Sequence, residues 1–271
     1  MINIDPTTAF LVSFALCYYW HALGGTLGYH RILSHKSLVV PKWLEYLIVS
    51  GGYLGLEGSP IFWVSTHRRH HRYSDQPGDP HTPRDGVWHS VIAWMWSPKT
   101  QMTSEESQKM VPDLYRDPLY KLLHCKHTHW DGFLCLFLSI LFRVAIFYVF
   151  GIWALLGNIL GSIVAFCGPL LVNSVCHMRQ FGYETYKAGD GSRNVWFVAL
   201  LSLGEGWHNN HHAFPQSARH GLKGHEIDAT WITIKVLEKL GLARSIRLPK
   251  SEMTDSEELA AEKEMELSVK S

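Results

Sequence analysis

Residues 133–176 read FLCLFLSILFRVAIFYVFGIWALLGNILGSIVAFCGPLLVNSVC, and Arg143 is the single formal charge in the run. A helix crosses a bilayer with about 20 apolar residues, so this stretch holds two spans and a tight turn. The turn is expected between Tyr148 and Asn158. Arg143 either snorkels to the interface or faces the bundle interior.

Outward from this pair of spans, both flanks are polar and rich in histidine. Upstream lies THRRHH, with His67, His70 and His71; downstream, residues 204–215 read GEGWHNNHHAFP, with His208, His211 and His212. Both triplets sit at offsets 0, 3 and 4, which share one face of a helix. A wider pair, His30 and His35, lies in GYHRILSHKS. Just before it, Phe10–Tyr29 carries no Asp, Glu, Lys or Arg and is long enough for one more span. His21, inside that span, reads as a helix-interior histidine bonded to a carbonyl.

If all three boxes feed one site, they lie on one side of the membrane. Two spans separate the second and third boxes, which returns the chain to the same side. Only one span fits between the first and second, and it would part them. Residues 43–64, apolar but broken by Glu45, Glu57, glycines and Pro60, therefore dip in or lie along the interface without crossing. Met1 then sits on the far side. Arg31, Lys36, Lys42, Arg68, Arg69 and Arg72 surround the boxes, so that side is the cytoplasm by the positive-inside tendency.

The rest of the chain bounds the reading. It has 271 residues and a net charge of +1, which points to neither nucleic acid nor a polyanionic substrate. Cys17, Cys125, Cys135, Cys167 and Cys176 form no CxxC pair and read as reduced packing residues. The start lacks a basic n-region, so no cleavable signal peptide is expected. Ser104–Lys109 and Trp231–Leu242 read as helices in polar surroundings. Residues 251–271 are a charged tail following a domain over 1–250. The fold class is all-α: about three membrane spans, an interfacial segment and a cytoplasmic helical cap around the histidines.

Imidazole suits Fe, Zn, Cu and Ni. Structural zinc takes four ligands and is usually rich in Cys. Eight box histidines are too many for one zinc, while two irons with four or five nitrogens each use them all. His89, His124, His127, His129, His220 and His225 lack ligand spacing and read as ordinary surface histidines. His81, in GDPH, reads as a partner that orients a ligand.

The stretches LGGTLGYHRILSHKS, WVSTHRRHHRYSDQPGDPH, LLVNSVCHMRQFGYETY, SRN and GEGWHNNHHAFPQSARHGL resemble the membrane fatty-acyl desaturases of the Δ9, stearoyl-CoA desaturase-like type. The resemblance is nearest to bacterial and cyanobacterial members and covers about residues 10–245. It implies a di-iron centre whose nine histidine ligands are His30, His35, His67, His70, His71, His177, His208, His211 and His212. One iron takes His30, His35, His67, His71 and His211; the other takes His70, His177, His208 and His212. His177 enters through the resemblance alone, and Asn173 is placed near one iron through a water.

The implied reaction removes two hydrogens from a saturated acyl chain, cis and at C9–C10, with O2 reduced to water. The acyl group is carried on CoA or on a glycerolipid, with a lean to the lipid. The electrons come from a ferredoxin or a cytochrome b5-type protein; no cytochrome b5 domain lies in the chain, so the donor is expected to be separate. Phe14 and Tyr18 are candidate floor residues for a blind acyl tunnel, beside the alternative of plain helix packing.

Three departures from the family are visible. One membrane helix, rather than the usual two, precedes the first box. His89-Ser90-Val91 stands where Ser-His is common, and Lys223, Gly224 and His225 replace common aromatics. The enzyme alternative is a hydroxylase or alkane monooxygenase with the same His-box chemistry. A metal transporter or sensor would instead spread its ligands through the spans.

Overall fold

The computed structural model describes residues 4–124 and 132–249. Cys125, His127, His129 and the tail from 251 lie outside the described residues. The described helices are α1 (Pro6–Leu23), α2 (Lys42–Leu54), α3 (Pro60–Tyr73), α4 (Val87–Val91), α5 (Ser104–Met110), α6 (Pro118–His124), α7 (Phe133–Phe150), α8 (Ile152–Val175), α9 (Trp196–Leu201), α10 (His208–Ala213) and α11 (Ala229–Lys239). A π-helical segment, Gly24–Ser34, continues α1 without a break. The fold is all-helical, and three helices are long and apolar enough to cross a membrane: Pro6–Ser34, Phe133–Phe150 and Ile152–Val175.

Asp5 caps α1 by accepting from the Thr8 amide, and Pro6 fits the first turn, where its missing N–H costs nothing. The helix then lies along α8. Gly157 and Gly161 of α8 let the two backbones touch: a Cβ on Gly157 would stand 2.3 Å from the Phe10 carbonyl oxygen. Without a hydrophobic driving force in lipid, such small-residue contact is what holds helices together. Ser13 Oγ adds a hydrogen bond to the Ala154 carbonyl at 2.7 Å. The α7–α8 turn is at Gly151, whose φ of 86° suits glycine, and it falls inside the expected window.

Helix α2 has 13 residues, about 20 Å at 1.5 Å per residue, too short for the ~30 Å bilayer core. It packs against α1, where Trp20 Nε1 donates to the Leu47 carbonyl at 3.1 Å. His21 is bonded as expected, its Nδ1 2.8 Å from the Gly51 carbonyl oxygen. Arg143 faces the bundle interior: its guanidinium donates to the Leu54 and Ser139 carbonyls at 3.1 and 3.0 Å and to Ser162 Oγ at 2.9 Å. Ser104–Met110 is helical, with a reciprocal capping box between Thr103 and Glu106.

One buried network fastens the cap to the first span. Arg31 is fully buried and forks onto Glu205 Oε1 at 3.0 Å and Asp228 Oδ1 at 2.9 Å, while Nη1 donates to the Ala218 carbonyl at 2.7 Å. Asp228 also caps α11 through the Trp231 amide. The membrane helix and the segment from 205 to 239 are thereby joined at one guanidinium.

Candidate metal centre and its cavity

Four pieces of backbone deliver the histidines. On α3, His67, His70 and His71 share a face, and on the short α10, His208, His211 and His212 do the same. His30 and His35 are five apart, which an α-helix would turn about 140° away from each other. Here the backbone is π-helical, with the His35 amide on the His30 carbonyl at 3.1 Å, and both rings enter the site. His177 comes from the turn that ends α8.

The side chains fall into two groups, His30, His35, His67, His71 and His211, and His70, His177, His208 and His212. Within each, the candidate ligand atoms lie within 4.8 Å of one another. Adjacent residues on a helix point about 100° apart, so His70 and His71, and likewise His211 and His212, serve different groups. The Nε2 atoms face inward in close pairs. In the first group His35 is 2.8 Å from His67, and His211 is 3.1 Å from His30 and 2.9 Å from His71. In the second, His208 is 3.0 Å from His177, and His70 is 3.3 Å from His212. Two ligands at right angles on a metal about 2.1 Å away stand about 3 Å apart, so these rings fit a metal ion in each group.

Protonation agrees with that fit. Burial pushes His35, His67, His70, His71, His208 and His211 well below the usual imidazole range, and neighbouring histidines lower them further. Neutral imidazole is the form that ligates. Burial lowers His212 as well, against the opposing hydrogen bond from Asp190.

Four carboxylates hold the rings from behind, and spacing gave no hint of them. Asp75 Oδ2 accepts from His177 Nδ1 at 2.9 Å, Asp79 Oδ1 from His70 Nδ1 at 3.0 Å and Asp190 Oδ2 from His212 Nδ1 at 2.5 Å. Glu205 Oε2 pairs with His30 Nδ1. Such partners fix the ring orientation and leave Nε2 for the metal. Asp79 orients His70, while His81 Nδ1 is buried without a hydrogen-bond partner. Two expectations are corrected here. His220 is no surface histidine: it is 1% exposed, with its ring 4.5 Å from that of His211 and its Nδ1 3.4 Å from Glu205 Oε2. His124 is also buried, with Nδ1 3.1 Å from Ser59 Oγ.

Two connected hollows open onto the histidines. A groove of about 820 Å³ is lined by Phe62, Trp94, Met102, Phe166 and Leu170, and no Lys or Arg among the described residues lines it. A narrow cavity of about 40 Å³ continues inward between α1 and α8 to Ala22, Thr26 and Ala165, passing His30, His67, His70 and His208. Glu57, Trp63, Pro169 and Asn173 belong to both. Asn173 thus lines the same cavity as histidines of both groups. Neither Phe14 nor Tyr18 lines the cavity. Tyr18 packs against the Ala22–Ala165–Leu203 cluster just beyond its end, and Phe14 stacks on Tyr18 with ring centroids 6.1 Å apart.

Residues 6–226 match the family model described as fatty acid desaturase. The chain is 44% identical over 241 residues to the sn-1 stearoyl-lipid 9-desaturase of Anabaena variabilis, covering 88% of this chain and 84% of that protein. It is 39% identical over 247 residues to the acyl-CoA 5-desaturase AL21 of Anemone leveillei, covering 89% and 73%. It is 41% identical over 238 residues to the chloroplastic palmitoyl-monogalactosyldiacylglycerol delta-7 desaturase of Arabidopsis thaliana, covering 88% and 62%.

Proposed function

The chain belongs to the membrane fatty acid desaturase family and is an O2-dependent oxidoreductase, and from that premise we propose that it places a cis double bond at C9–C10 of a lipid-linked saturated acyl chain, using two histidine-bound irons. The observation that carries this reading is the narrow apolar cavity that passes both histidine groups. A saturated acyl chain entering from the groove would bring its methylenes to both, with the cavity, about 40 Å³, widening around it. Overall, –CH2–CH2– and O2, with two electrons and two protons, give –CH=CH– and two waters. When bound, the irons supply O2 activation and its redox chemistry.

The residues of the chain do the rest. Nine imidazoles would hold the metals, and Asp75, Asp79, Asp190 and Glu205 orient four of them. Asn173 faces the same cavity and would hold a water on the second metal. Ala22, Thr26 and Ala165 give the chain an apolar sleeve, and Tyr18 closes it from below. Water is kept out by Trp63, which stacks on His67 with centroids 5.0 Å apart.

A lipid carrier is supported by the groove, in which no Lys or Arg among the described residues meets the phosphates of CoA and which places Glu57 at its inner end. The C9 position rests on the 9-desaturase of Anabaena; the 5- and 7-desaturases at similar identity are the competing outcomes. The electron donor is a ferredoxin or a cytochrome b5-type protein. The cytoplasmic position of the site rests on the basic residues around the boxes. Arg31, Lys36, Lys42 and Arg68 are ion-paired, but the positive-inside tendency counts cations rather than net charge.

The test is expression in a host with only saturated acyl chains, with a donor supplied, followed by mass spectrometry that locates double bonds in intact lipids. A Δ9 monoene in glycerolipids is expected, and His208→Ala should abolish it while the protein stays in the membrane. A hydroxylated chain, or no new unsaturation, overturns the reading.

A further inference from the structure

The two histidine groups differ in what stands behind them. In the four-histidine group, three of the rings, His70, His177 and His212, donate Nδ1–H to Asp79, Asp75 and Asp190. Those aspartates are otherwise bonded to neutral groups. The Gly191 amide and Thr82 hydroxyl donate to Asp75, the Asp75 and His81 amides to Asp79, and the Ser192 amide to Asp190. No Lys or Arg reaches any of the three among the described residues.

The five-histidine group is built the other way. Among the described residues, only His30 of its five rings meets a carboxylate, Glu205. That carboxylate is shared with the buried guanidinium of Arg31, at 3.0 Å from Nη2 and 3.2 Å from Nε. One ring in each group, His208 and His211, has a buried Nδ1 with no hydrogen-bond partner, so the groups differ only in the other rings. Behind one group, then, stand three carboxylates with no cation among the described residues; behind the other, Glu205 and Asp228 share one cation, Arg31.

Resting on the di-iron reading, we propose that Asp75, Asp79 and Asp190 are positioning residues that make the two metal sites unequal in reduction potential, the His70–His177–His208–His212 site being the one that favours Fe3+. A carboxylate on the far nitrogen makes an imidazole a stronger donor, and uncompensated negative charge in a dry site stabilises the higher oxidation state. The first electron from the one-electron donor therefore resides at the five-histidine site, leaving Fe2+ there and Fe3+ at the four-histidine site. The second electron completes the diferrous form.

The test reads each iron separately. Crystals of the full chain loaded with iron and reduced by one electron per chain are measured by site-resolved anomalous scattering across the iron K-edge. The expected result is a ferrous edge at the five-histidine site and a ferric edge at the other. Asp190→Asn and Asp75→Asn keep an oxygen on the ring N–H but remove the charge, and each should erase or reverse that ordering. A merely structural role would not move the edges. Because these partners also support binding, iron affinity at the four-histidine site should fall about 10- to 100-fold in the same variants. Glu205→Gln should widen the difference instead. Two irons with equal edges, or with the ferric edge at the five-histidine site, overturn the inference alone. Iron missing from either site in the unsubstituted protein overturns the di-iron reading and the inference with it.

Discussion

Glu57 sits where the groove narrows, its Oε2 3.1 Å from Trp63 Nε1. Burial raises its carboxyl to about 8, with the Trp63 hydrogen bond opposing. The folded protein therefore binds a proton that the unfolded chain, at about 4.3, releases earlier. Its stability contribution is full below that unfolded value and is lost as pH rises through about 8. Melting temperature in detergent should accordingly fall between pH 5 and 8, and Glu57→Gln should flatten that fall. Equal slopes in the two proteins would show that the carboxyl is not held protonated. Tyr18 is the second residue with a clear test. Removing its ring opens about one helical turn, 5.4 Å, or room for about four methylenes. Tyr18→Ala should shift products to longer acyl chains, and an unchanged profile removes it as the floor. At this scale the box histidines were legible because ligand spacing on a helix repeats. The aspartates were not: Asp75 lies 102 residues from His177, and only the fold closes that distance.

Among elements, the α1–α8 pair carries the cavity, and its closeness depends on Gly157 and Gly161. In Gly157→Leu the new Cβ would meet the Phe10 carbonyl oxygen at 2.3 Å and the Phe14 amide nitrogen at 2.9 Å. Backbone is a hard obstacle, so the cost lies at or above the 1–3 kcal/mol usual for overpacking, about 3 kcal/mol. A control at Gly224, where a Cβ meets nothing within 4 Å, should leave the melting temperature alone. Comparable losses in both variants would contradict this packing. The three spans, the α7–α8 turn and the non-crossing α2 were readable from apolar length, since hydrocarbon thickness sets it. The π-helical Gly24–Ser34 was not, because a shift from i+4 to i+5 bonding leaves no periodic mark in eleven residues. That shift explains why the wider His30–His35 pair works beside two HxxHH triplets.

At the scale of the molecule, a first helix that spans the bilayer puts its own two ends on opposite sides of the membrane. Ile4 precedes α1, and Lys223 lies in the cap that Arg31 fastens beside the histidines. An impermeant maleimide applied to intact cells should label Ile4→Cys and spare Lys223→Cys. The reverse pattern would move the site to the outer face. Polar stretches read as soluble in character still carry exposed apolar side chains, Trp196 at 63% and Leu240 at 66% among them. Composition averages over a helix and so hides which face meets lipid. The central claim is the joining of distant histidines into two metal sites, and iron-edge anomalous diffraction of the purified protein tests it most directly. Two peaks are expected, one within His30, His35, His67, His71 and His211 and one within His70, His177, His208 and His212. A single peak, or density at His30–Glu205–His220 in place of the first, would contradict the account.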